Sequence, residues 1–138
     1  MRYLGLDLGT KSLGVSVSDI TNTFALPVVT LHFNEDDYES VLKELEKIVF
    51  SKHITDFVLG LPKNMNNSLG FASERSENFK KLLEDYFSLP VHMVDERLTT
   101  KEAESILLAG DMSRKKRKKV IDNVASSLIL ETYLRRKD

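Results

Sequence analysis

The sequence predicts an α/β fold, a five-stranded mixed sheet with three antiparallel strands first, parallel strands after them, and helices on its faces. Three observations predict it. Short apolar runs separated by turn residues crowd the first 33 positions; beyond them the apolar spacing alternates between helical and strand-like periods; and Phe57-Val58-Leu59-Gly60-Leu61 is an unbroken run of the kind a buried parallel strand carries.

Residues Tyr3 to Leu8, Leu13 to Ser18 and Leu26 to Phe33 read as an antiparallel meander broken by Gly-, Asn- and Thr-containing turns. In the first run Tyr3, Gly5 and Asp7 share one face. Between Asp36 and Lys52 the apolar residues Val41, Leu42, Leu45, Ile48 and Val49 recur at helical spacing among Glu and Lys. The strand Phe57 to Leu61 stops at Pro62 and a polar loop, Lys63 to Gly70. A second helix follows over about Ser73 to Phe87, then a fifth strand over Val91 to Val94 that closes on Asp95-Glu96-Arg97. Thr99 and Glu102 form a capping box for a helix ending near Gly110. The last helix runs from the basic cluster to Leu134 on a stripe of Val120, Ile121, Val124, Ala125, Leu128 and Ile129, with Asp122 at its edge. Crossovers after the third strand bring strands four and five beside strand one, and sites in open α/β sheets gather outside the carboxyl ends of such strands.

At 138 residues with 41% hydrophobic content, the chain is expected to form one domain over 1–138. Its net charge of -1 hides an unbroken basic run, Arg114-Lys115-Lys116-Arg117-Lys118-Lys119. Having no cysteine, it offers neither a disulfide nor a thiolate ligand or nucleophile. No basic leader precedes a long apolar stretch and no apolar run nears the ~20 residues that span a bilayer, so a soluble cytoplasmic protein with no membrane partner is expected. The sequon Asn66-Asn67-Ser68 is then accidental.

Asp7 has no structural reason to stand in an apolar strand, where an ionised carboxylate costs several kcal/mol unless a cation or donors meet it. Asp7, Asp122 and one of Asp95 and Glu96 come from a first strand, a late helix and a strand end. Converging, they would hold Mg²⁺ or Mn²⁺, two such ions serving in-line phosphodiester hydrolysis without a His or Cys. Each also has a plainer reading: Asp122 as a solvated helix charge, and Asp95-Glu96 as a complement to a following helix dipole. Adjacent strand residues point oppositely, so one of that pair faces the site. Arg97, Lys11 and Lys63 are candidate phosphate contacts, and Arg114, Lys115, Lys116 and Arg117 could track a nucleic-acid backbone or simply be solvated. His32, His53 and His92 lack zinc-ligand spacing and read as ordinary surface or half-buried residues.

Four ordered segments, Gly5-Leu6-Asp7-Leu8-Gly9-Thr10-Lys11, Gly60-Leu61-Pro62-Lys63-Asn64-Met65-Asn66, Asp95-Glu96-Arg97-Leu98-Thr99-Thr100 and Asp122-Asn123-Val124-Ala125-Ser126-Ser127, resemble the motifs of the YqgF (RuvX) family over essentially the whole chain. The resemblance implies an RNase H-like fold and a bacterial nuclease, associated with maturing the 5' end of precursor 16S rRNA and with Holliday junction resolution. By motif it implies Asp7, Glu96 and Asp122 as catalytic metal ligands, with the Gly-Leu-Pro loop and Arg97 flanking the cleft. Precursor rRNA, on a ribosomal particle, is the expected partner ahead of a DNA junction, and a monomer or homodimer the expected state. Two departures stand out: Ser12 occupies the place of the family's usual arginine, and Ser126-Ser127 that of Ala-Ala. Two rival readings remain. Asp7-Leu8-Gly9-Thr10 also resembles the first phosphate loop of sugar-kinase and actin-type ATPases, whose second phosphate motif and adenosine motif are missing here; and a noncatalytic RNA- or ribosome-binding module would keep the fold without cutting.

Overall fold

A computed structural model describes the backbone of residues 1–61, 71–95 and 114–136, and the side chains of 1–61, 74–94 and 125–136. Its elements are β1 (Tyr3–Leu8), β2 (Ser12–Ser18), β3 (Ala25–His32), α1 (Tyr38–Lys52), β4 (Asp56–Leu61), α2 (Phe71–Phe87), β5 (Val91–Asp95) and α3 (Arg114–Arg136). The five strands form one sheet in the order β3-β2-β1-β4-β5. β1 to β3 pair antiparallel, β4 joins β1 in parallel, and β5 joins β4 in parallel, which is the predicted mixed sheet.

Strand alternation splits the core into two. Leu4, Leu6 and Leu8 of β1, with Leu13, Val15 and Val17 of β2, pack against Val41, Leu42 and Leu45 of α1 and Phe79 and Leu83 of α2. Tyr3, Val58 and Val94 face the other way, onto Ile129, Leu130 and Leu134 of α3. Helices on both faces explain why Phe57, Val58 and Leu59 of β4 are all wholly buried: a strand covered twice needs apolar residues at every position.

The boundaries differ from expectation by one or two residues, for local reasons. Asp36 sits at φ 66°, outside right-handed helical space, so α1 starts at Tyr38 with Asp37 as its N-cap instead of at Asp36. His53 closes α1 in the left-handed conformation at φ 54°, a place glycine usually takes. β2 opens at Ser12 rather than Leu13, and β3 spans Ala25–His32 rather than Leu26 to Phe33. In the edge strand β3 the register shifts where Val15 pairs with Val29 and Ser16 with Pro27, so Val28 is the extra residue of a bulge. The turn before it is held by Asp19, whose carboxylate accepts hydrogen bonds from the Thr21 hydroxyl and from the N–H groups of Thr23 and Phe24 at 2.5, 2.8 and 2.9 Å. The helix expected over Thr99 to Gly110 and the loop Lys63 to Gly70 lie outside the described residues. Among the described residues, no helix is long and apolar enough to cross a membrane.

Candidate active site at the carboxyl end of the first strand

Asp7 is the one residue of β1 that is not fully buried. It lies opposite Gly14 of β2, on the face that Tyr3 and Gly5 also share. Gly14 presents no side chain to bond the carboxylate, and no hydrogen bond or ion pair to it occurs among the described residues. A half-buried carboxylate left this way suits a hard cation, which would offset the desolvation that nothing described here compensates. Among the described residues no group of three or more His, Asp or Glu could hold a metal ion, and two of the three expected ligand side chains fall outside them.

The helix over this face is held unusually close. A Cβ at Gly5 would come within 2.5 Å of Ser16 Oγ, 2.7 Å of Leu130 Cβ and 2.9 Å of the Ser126 carbonyl oxygen. No glycine described here has a positive φ, so Gly5 serves this approach and not a special backbone conformation. The approach also fixes a direction. Tyr133 packs on Tyr3 with ring centroids 5.5 Å apart, while Ser126 and Leu130 lie over Gly5, so α3 runs opposite to β1. Asp122 belongs to the turn before Ser126, next along the helix in the direction of Asp7.

Lys11 is exposed at the tip of the β1–β2 hairpin, which the Gly9 N–H closes on the Ser12 carbonyl at 2.7 Å. The Lys11 carbonyl in turn accepts the Phe33 N–H at 3.0 Å, tying the tip to the end of β3. Asp95 ends β5 in register with Leu61 of β4, at the same edge of the sheet as Asp7. Lys63, Glu96 and Arg97 lie outside the described residues. Arg114, Lys115, Lys116 and Arg117 form the first turn of α3, which has no acid in it. Four cations at the positive end of a helix dipole oppose helix formation, so an anionic partner would relieve the strain of that arrangement.

One group of polar residues escaped sequence reasoning. His92 Nε2 lies 3.0 Å from Oδ2 of the buried Asp56, whose Oδ1 accepts the Thr55 hydroxyl at 2.7 Å. The His92 ring also stacks on Tyr133, with centroids 4.8 Å apart and 23° between planes. Burial pushes the Tyr133 phenol up, and the neighbouring Tyr3 and Asp56 reinforce it. The cluster sits at the end of the sheet opposite Asp7, where β1, β4 and β5 begin. The only signal in the sequence was the polar pair at the starts of two strands that prove adjacent.

The sheet order, the antiparallel meander followed by parallel crossovers, and a carboxylate at the carboxyl end of the central strand under a long final helix define an RNase H-like architecture. T. thermophilus RuvC in complex with a Holliday junction substrate shares it at a TM-score of 0.62 and 15% identity, over 99% of this chain and 96% of that one. The chain belongs to the RuvX family, described as "Holliday junction resolvase", whose model matches residues 1–136. A relative from Geobacillus sp. (strain WCH70), named "Putative pre-16S rRNA nuclease", is 50% identical over 134 residues, covering 97% of each chain. A ROK family protein from Streptococcus pneumoniae TIGR4 in complex with sucrose matches 75% of this chain at a TM-score of 0.51, but only 37% of its own length is covered. These structural likenesses show a shared fold, while the family match and the 50% identical relative lie with nucleases.

Proposed function

We propose that the protein is a metal-dependent endonuclease that hydrolyses a phosphodiester bond at the 5' end of precursor 16S rRNA, acting as one cytoplasmic domain over residues 1–138. The observation that carries the reading is Asp7, a half-exposed carboxylate without a partner among the described residues, beneath the helix whose preceding turn holds Asp122. The family and the name of the relative at 50% identity support the same reaction class.

Asp7, Glu96 and Asp122 would hold one or two Mg²⁺ or Mn²⁺ ions, which supply, when bound, a polarised water and charge stabilisation for the departing oxygen. Glu96 is taken over Asp95 on the motif that the family resemblance carries. Lys11, Lys63 and Arg97 neutralise phosphates flanking the scissile bond, Lys11 from an exposed hairpin tip at the same end of the sheet. Arg114 to Arg117 hold the backbone of the RNA further away, which accounts for a basic first turn in α3 that its dipole disfavours. The ribosomal particle that carries the precursor is the natural setting.

Cleavage of a 5'-extended 16S precursor by purified protein in Mn²⁺ tests the proposal. Asp7→Asn and Asp122→Asn should each slow it at least 100-fold without unfolding the protein. Equal cleavage by both variants and the wild type would mean a contaminating nuclease. The family's description favours a second substrate, a four-way DNA junction cut by a homodimer with two sites. Assaying junction and precursor side by side decides between them.

A further inference from the structure

The Asp56, His92, Tyr133 and Tyr3 cluster joins β1 and α3, whose sequences include Asp7 and Asp122, to β5, which Glu96 follows in the chain. Tyr3 precedes Asp7 by four residues on β1, His92 precedes Glu96 by four along the chain from β5, and Tyr133 lies on α3, three turns beyond Asp122. Their rings are in mutual contact: Tyr3 to Tyr133 at 5.5 Å, His92 to Tyr133 at 4.8 Å and Tyr3 to His92 at 6.4 Å. Asp56 fixes the imidazole from β4, and Thr55 fixes Asp56. Aliphatic packing against α3, by Val58 and Val94, tolerates axial slippage of the helix because such contacts are non-directional. A planar stack and a hydrogen-bonded imidazole do not, since both lose energy when rings shift by an ångström or two.

We infer that Asp56, His92 and Tyr133 are positioning residues that set the register of α3 against β1 and β5, and through it the spacing of the metal-binding acids. The inference rests on the nuclease reading above. Catalytic sites lose large factors from misplacements near 1 Å that originate away from the chemistry, so a brace at the opposite end of the sheet has leverage on rate without touching RNA.

Tyr133→Leu keeps an apolar side chain of similar bulk but cannot stack, whereas Tyr133→Phe retains the ring. His92→Gln keeps a donor for Asp56 and removes the stack from the other side. Mn²⁺ affinity by calorimetry, kcat and KM on precursor RNA, and the thermal midpoint are measured together. Tyr133→Leu and His92→Gln should each weaken Mn²⁺ binding and lower kcat about tenfold with KM for RNA unchanged, and Tyr133→Phe should restore both to within twofold. Should either of the two fail to fold, the other carries the test. Folded variants whose Mn²⁺ affinity and kcat stay within twofold of wild type, with only the midpoint lowered, overturn the inference alone. A wild type that neither cleaves nor binds Mn²⁺ in a manner sensitive to Asp7→Asn overturns the nuclease reading, and the inference falls with it.

Discussion

Two carboxylates on the described strands and turns show how placement decides a residue's work. Asp19 is fully engaged: the Thr21 hydroxyl first, and then the backbone N–H groups of Phe24 and Thr23, hold its pKa down to about 2. Asp7, two turns of chain earlier, meets a glycine across the sheet and no described donor. The pH behaviour of Asp19 follows with a definite sign. Its folded pKa lies below the ordinary aspartate value near ~3.9, so its contribution is complete above that value and fades as pH falls towards 2. Asp19→Asn should therefore lower the urea midpoint at pH 6, and the gap to wild type should narrow steadily at pH 4 and pH 3. A gap that stays constant with pH would mean the carboxylate's charge contributes nothing to the turn.

Among the elements, α3 and the strands beneath it meet across a seam of small residues with opposing consequences. Gly5 is there because α3 needs the space, so Gly5→Ala forces overlap with backbone and should destabilise the fold by roughly 1–3 kcal/mol. Ser126 is wholly buried and its hydroxyl lacks a hydrogen-bond partner among the described residues. Ser126→Ala removes that unmet group and should stabilise by about 1 kcal/mol. Urea unfolding of the two variants checks both signs at once. Much at this scale was legible beforehand: the five strands and three described helices follow from apolar periods alone, because both faces of the sheet are covered and each period reports one buried face. What the chain hid were non-local matters. The tie of Asp56 to His92 depends on which strands neighbour one another, and the role of Gly5 depends on how near a helix some 120 residues away comes, neither of which a local pattern records.

At the scale of the whole molecule, α3 is anchored at one end and charged at the other. Its carboxyl half is pinned to the sheet through Tyr133, Leu130 and Leu134, while its first turn is Arg114-Lys115-Lys116-Arg117. Replacing those four residues by Gln should lessen the slope of log affinity for RNA against log salt by about 3, while raising the thermal midpoint, since the helix dipole no longer faces four cations. Loss of affinity with an unchanged salt slope would mean the run does not touch phosphate. The position of α3 in the chain has a further consequence. It lies over β1, β2 and β3, yet every described strand precedes it in the chain. The sheet face that Tyr3, Val58 and Val94 present to Ile129, Leu130 and Leu134 is therefore covered by residues that follow it in the chain, so that half of the core closes only once α3 has been made.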